Sequence, residues 1–198
     1  MAVAQENKQD TSKFSRLPQV KKEVFSLIRL PSKRFFNLTF SGPQKKVADA
    51  TEVLQSYIDA RKEKKRISDP AYKFTIAIGK IKAAIRQGDA SDSTLLILGA
   101  AYALEGHVAE AQSACLALRE RGAHSYENIL GAMVAYGFYS VLKSNDRMGY
   151  GDRIAYLNEG KENEARGKQL LNGSPVPDII LQILEFKKAQ TGMFDKSL

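Results

Sequence analysis

The chain has 198 residues, of which 43% are hydrophobic and 26% are charged. This composition is typical of a folded globular domain and excludes an intrinsically disordered chain. No apolar run approaches the roughly 20 residues of a membrane-spanning helix, and the polar first eleven residues do not resemble a secretion signal. The single cysteine, Cys115, cannot form an internal disulfide. We therefore expect a cytoplasmic protein with no transmembrane segment.

Positive charge is concentrated in the first third of the chain. Residues 1–66 contain 15 Lys/Arg and 7 Asp/Glu, a net charge of +8, whereas residues 67–198 contain 15 of each. Such asymmetry indicates an electrostatic partner, although a basic stretch also serves simply as a solvated surface. The candidate basic patch consists of Lys21, Lys22, Arg29, Lys33, Arg34, Lys45 and Lys46.

In chain order, residues 1–12 are polar and predict a flexible N-terminal tail, and residues 13–42 form a basic, aromatic-rich arm. Within this arm, apolar spacing favours a short helix from Pro18 to Leu30, and Phe35–Phe40 favours an extended segment. Residues 43–190 show helical periodicity and predict the helical domain. Residues 191–198 predict a second flexible tail.

The first three helices of this domain have clear start and stop signals. The first begins at Pro43 and is expected to end near Arg66, and the second begins at Asp69-Pro70 and ends before Gly88. The third is capped by Ser91, Asp92 or Ser93 and runs to about Glu105. Because this third helix is apolar on nearly every side, we expect it to be buried centrally.

The remaining pattern predicts four more helices. A small-residue stripe runs from Val108 to Arg121, a strongly apolar helix from Tyr126 to Lys143, and an irregular loop covers residues 144–152. A more polar helix capped by Asp152 follows, and the last begins near Pro177-Asp178. The expected fold is all-α, with seven or eight helices in antiparallel helix–turn–helix pairs, arranged either as a superhelix or as a compact bundle.

One segment matches a known repeat. Leu98-Gly99 and Tyr102 in the third helix, Gly106 at the turn and Ala111 in the fourth occur at the positions of a 34-residue helix–turn–helix unit. On these residues, positions 92–125 resemble a single tetratricopeptide-type repeat. The resemblance implies stacked helix pairs whose first helices line a concave groove that binds a peptide or a helix.

Carried over by position, the resemblance implies a protein-binding groove lined by mostly small and apolar residues. These residues are Ser93, Leu96, Ala100, Ala103 and Leu104. The alternative is that the same residues are simply buried in a compact helical core.

The histidines, the cysteine and the acidic residues of this sequence are not spaced as in known catalytic or metal-binding motifs. His107 and His124 are 17 residues apart and lack a second ligand at i+3 or i+4, and Cys115 has no neighbouring base. Glu159, Glu162 and Glu164 alternate with Lys161, Arg166 and Lys168, which favours a solvated, ion-paired helix face. We therefore expect no metal, no cofactor and no enzymatic activity.

Two functions remain open at this point. The first is a helical adaptor or chaperone-like subunit that binds a segment of another protein within a larger assembly. The second is binding of RNA or single-stranded DNA through the basic first third, where the cations would neutralise phosphates and the phenylalanines would stack on bases. The sequence leaves the oligomeric state open.

Overall fold

The computed structural model describes residues 42–63, 70–143 and 150–192, and these residues form an all-α fold of seven helices. The predicted tail 1–12, nearly all of the arm 13–42, and residues 193–198 lie outside the described residues. The helices are α1 (Pro43–Lys62), α2 (Pro70–Arg86), α3 (Asp92–Glu105), α4 (Val108–Glu120), α5 (His124–Lys143), α6 (Tyr150–Leu171) and α7 (Asp178–Gln190).

Most helix ends follow the local signals in the sequence. The Ser91 side chain caps α3 by accepting a hydrogen bond from the Thr94 backbone N–H at 3.3 Å. Gly106 ends α3 in the left-handed region at φ +80°, which glycine adopts without strain. The expected loop of residues 144–152 is wrong at its end, because α6 already begins at Tyr150. Asp152 lies in the first turn, where its negative carboxylate interacts favourably with the positive end of the helix dipole.

Two further boundaries differ from expectation. Helix α1 ends at Lys62 rather than near Arg66, with Glu63 as the capping residue. Helix α5 begins at His124 rather than Tyr126, and Glu127 then falls in its first turn. With the observed boundaries, α1 has basic residues in its last turn and α5 has an acidic residue in its first turn, which are charges of favourable sign at those helix ends.

Neighbouring helices form antiparallel hairpins, held by close backbone approach. In the α3–α4 hairpin, a Cβ atom placed on Gly99 would lie 2.8 Å from the Ala114 Cβ, which is closer than real contacts allow. In the α5–α6 hairpin, Gly160 faces the Tyr136 ring and Gly167 faces Ile129. The α1–α2 hairpin is bridged by Lys80 and Asp49, whose Nζ and Oδ2 atoms are 2.8 Å apart.

Helix α3 lies at the centre, as its all-round apolar sequence predicts. It packs against α1, α2, α4, α5 and α7, and ten of its fourteen residues are buried. This packing explains why α3 can be apolar on nearly every side, whereas a helix at the surface carries a polar face.

Helix α7 closes the arrangement by folding back over the first helices of the hairpins. It packs against α5, α3 and α1. It runs parallel to α5, because the Tyr126 hydroxyl reaches the Pro175 carbonyl at one end and Lys143 Nζ donates to the Thr191 carbonyl at the other. The last helix of the domain therefore contacts its first.

Replacement of Gly99 by alanine is expected to destabilise the fold by about 1–3 kcal/mol, because the added methyl group would overlap Ala114 and Leu130. Gly137, in the interior of α5, has open space around the same position. The matched Gly137→Ala change should be neutral or stabilising by up to about 1 kcal/mol, from helix propensity alone. Urea unfolding of both variants measures the difference, and equal stabilities would contradict the close approach of α3, α4 and α5.

Candidate functional site

The candidate site is the apolar surface on which α7 lies. On its inner side, Ile179, Ile180, Ile183 and Leu184 are buried, each stabilising the contact by about 1.5–3 kcal/mol. On its outer side, Leu181 is 39% exposed, and Glu185 and Ala189 are also exposed. We call the surface of α1, α3 and α5 beneath this helix the helix-accepting face.

The predicted groove residues lie in the interior. Leu96, Ala100, Ala103 and Leu104 are buried, and Ser93 is half-buried. The four apolar residues belong to the same continuous core as the inner side chains of α7. They are core residues, and α5 and α7 both pack against α3.

The predicted basic patch is divided by the structure. Lys45 is exposed on the first turns of α1, whereas the neighbouring Lys46 is only 1% exposed. Lys46 is therefore wrongly assigned to an exposed patch. Lys21, Lys22, Arg29, Lys33 and Arg34 lie outside the described residues, so nucleic-acid binding through the basic third stays a prediction.

A group of ionisable side chains meets where α1, α3 and α7 adjoin, and its central member is Lys187. This lysine is 6% exposed, and no hydrogen bond joins it to the described residues. Burial lowers the pKa of Lys187 to about 8; Arg61 adds to this effect, and Glu105 opposes it. The Oε1 atom of Glu105 is itself buried without a hydrogen-bond partner. A cation and a carboxylate thus lie near each other incompletely paired.

Tyr57 and Arg61 complete this polar group from α1. Arg61 Nε donates a hydrogen bond to the Tyr57 hydroxyl at 3.0 Å, and its guanidinium carbon lies 5.3 Å from the centre of the tyrosine ring. Burial, and then the Glu105 carboxylate, raise the pKa of the Tyr57 hydroxyl. We refer to Tyr57, Arg61, Glu105 and Lys187 as the polar junction.

A second polar group attaches the same C-terminal end of α7 to the α5–α6 hairpin, through Lys188. Glu164 accepts hydrogen bonds from the Tyr136 hydroxyl at 2.7 Å, from Lys168 Nζ at 2.6 Å and from Lys188 Nζ at 3.0 Å. Burial by itself would raise the pKa of Glu164, but these hydrogen bonds outweigh it and hold the pKa below its ordinary value. This glutamate was expected on a solvated face; it is buried instead, because α6 turns it toward Tyr136.

The other residues considered for chemistry have structural neighbours. His107 stacks on Phe74 with ring centres 5.4 Å apart, and His124 Nδ1 lies 3.1 Å from a Glu127 carboxylate oxygen. Burial raises the pKa of Cys115 to about 12, so its thiol stays protonated at neutral pH. Within the described ranges, no three His, Cys, Asp or Glu side chains are grouped so as to hold a metal ion. None of the helices described combines the length and apolar character needed to cross a membrane.

The polar junction was missed from the sequence, although a signal for it exists. Lys187 follows Ile183 by four residues and Leu184 by three, so it falls on the apolar side of α7. Glu105 likewise ends a helix that is otherwise almost entirely apolar. A charge on an apolar side indicates either a buried partner or a side chain reaching solvent, and only the packing distinguishes them.

Comparison of the chain with family models, with curated proteins and with solved structures finds no match. The resemblance of residues 92–125 to a tetratricopeptide repeat therefore stays a prediction.

Replacement of Lys187 by methionine is expected to stabilise the protein at pH 7 by about 3 kcal/mol, because a buried ammonium group is removed. In the wild-type chain, the folded state holds fewer protons than the unfolded state between pH 8 and 10.5. The free energy of unfolding of the wild type therefore rises through this window, and its difference from that of the variant becomes smaller. Urea unfolding of both chains at pH 7 and pH 9.5 measures the difference in stability between them. A difference that does not change with pH would contradict the burial of the charge.

Replacement of Glu164 by glutamine is expected to cost about 1.5–3 kcal/mol at pH 7, since three hydrogen bonds lose their charged acceptor. The contribution of Glu164 is present above the ordinary glutamate pKa of 4.5 and is lost as pH falls through its lower folded value. The gap between variant and wild type should therefore shrink in acid. Glu162→Gln, at an exposed position on the same helix, is the control and should change stability by less than about 0.5 kcal/mol.

Proposed function

We propose that this chain is a non-catalytic helical adaptor, or a chaperone-like subunit, that binds a helical segment of another protein. The observation that carries the proposal is that α1, α3 and α5 already hold one amphipathic helix, α7, through four buried aliphatic side chains. An amphipathic helix that lays its apolar side on a hydrophobic surface is a recurring mode of protein–protein recognition. The three hairpins thus offer the shape and chemistry of a helix-binding protein.

The burial of the ionisable groups supports a non-catalytic role. The polar junction brings together a lysine, a carboxylate, an arginine and a phenol, which are residue types used in catalysis. Lys187 is nevertheless only 6% exposed and the Oε1 atom of Glu105 is buried, so little of either group faces solvent. Glu164 accepts hydrogen bonds from one residue in each of α5, α6 and α7, which gives it a structural role.

An immobilised full-length chain should retain a protein partner from cell extract, and that retention should persist between about 0.1 and 0.5 M salt. Apolar contacts are insensitive to screening, whereas binding of RNA through the basic first third should weaken steeply over the same range. Retention of nuclease-sensitive material that is lost at high salt would favour the nucleic-acid function. A chain that retains no protein at any salt concentration would contradict the adaptor function.

A further inference from the structure

Helix α7 is joined to the rest of the domain by a segment that contributes little to the core. Asn172, Gly173, Ser174 and Pro175 are all exposed. Asn172 and Gly173 both have positive φ, at +43° and +81°, and end α6 there. These four residues add no buried side chain, so α7 is held by the contacts of the helix itself and of Val176. Release of α7 would break those contacts and leave the contacts within the three hairpins in place.

The apolar part of the α7 contact is well matched. Ile179, Ile180, Ile183 and Leu184 are each at most 2% exposed, so the face accepts two adjacent pairs of branched aliphatic side chains four residues apart. Gln182, beside this stripe, forms a hydrogen bond to Gln55 of α1. These contacts define the chemistry of the helix that the face accepts.

One pair of charged groups near the C-terminal end of the same contact is poorly matched. Lys187 places an ammonium group among α1, α3 and α7 without a hydrogen bond to the described residues, and Glu105 leaves a buried oxygen unpaired. The two groups interact electrostatically, but they do not form an ion pair within 4.0 Å. An arginine at the position of Lys187 is longer and presents five N–H donors in a planar fork, a geometry suited to a buried carboxylate.

We propose that α7 occupies the site of a partner, and that the helix-accepting face binds an amphipathic helix of another protein in its place. That helix carries two aliphatic pairs spaced as in α7 and an arginine at the position of Lys187, where it pairs with Glu105. The inference rests on the proposed adaptor function and names its site and the kind of segment that fits it.

A second copy of this chain is the less suitable occupant. Exchange of α7 between two copies would bring the same Lys187 to the same Glu105, and the unpaired oxygen would remain. A different helix with an arginine removes the mismatch, and this gives the partner an advantage over the internal helix. Displacement then follows from the difference in affinity between the two helices.

The test uses the full-length chain and three fluorescent peptides that span residues 175–192: the natural sequence, a K187R form, and a K187R form that also carries I183D. Fluorescence anisotropy measures their binding. The K187R peptide should bind at least about tenfold more tightly than the natural peptide, as a new charge-assisted hydrogen bond predicts. The peptide with I183D should not bind, because a carboxylate cannot occupy the apolar site of Ile183.

A change within the chain tests whether α7 is the competitor. Ile183→Ala in the full-length chain weakens the internal helix while leaving the face intact, so the K187R peptide should bind about tenfold or more tightly to this variant. Leu181→Ala, on the exposed side of α7, is the matched control and should leave binding unchanged. Circular dichroism checks that both variants remain helical.

Hydrogen exchange on the wild-type chain keeps the test independent of variant folding. The amides of α7 should exchange faster than those of α3 and α5, and saturating K187R peptide should increase exchange in α7 while protecting α3. Equal binding of the natural and K187R peptides, equal exchange of α7 and α3, or stable dimers that exclude the peptide would each overturn the inference. If no peptide binds but the immobilised chain still retains a protein, the adaptor function stands and this site is wrong.

Discussion

The fold depends on the burial of one helix that has no polar face. Helix α3 carries apolar or small side chains around almost its whole circumference, and every side left uncovered would expose hydrocarbon to water. Three sides of α3 are covered by α2, α4 and α5, which lie next to it in the chain or in the following hairpin. The remaining sides require α1 and α7, so the ends of the domain are drawn together around a common centre.

Close packing around α3 requires small residues at particular positions. Gly99 allows α3 to approach Ala114 and Leu130 at a distance that no side chain would permit, and Gly160 does the same for α6 against Tyr136. Helices brought this close gain dispersion contacts along their length, which compensates for the low helix propensity of glycine.

The contact of α7 combines a strong apolar part with an unfavourable polar part. Its four buried aliphatic side chains together contribute several kcal/mol, which exceeds the roughly 3 kcal/mol that burial of the Lys187 charge costs. One residue further along the same end of α7, Lys188 donates a hydrogen bond to Glu164. A helix that is held strongly by apolar contacts and yet carries one incompletely paired lysine has the balance that the proposed exchange with another helix requires.

The sequence by itself determined the helices, their main boundaries and the central position of α3, because these depend on capping residues, prolines, glycines and apolar periodicity along short stretches. It did not determine that Leu96, Ala100, Ala103 and Leu104 would be covered, or that Lys46, Glu164 and Lys187 would be buried. Periodicity shows which side of a helix is apolar, but it does not show which distant helix covers that side. Only the tertiary structure, by bringing α7 back onto α1, decided where the core ends.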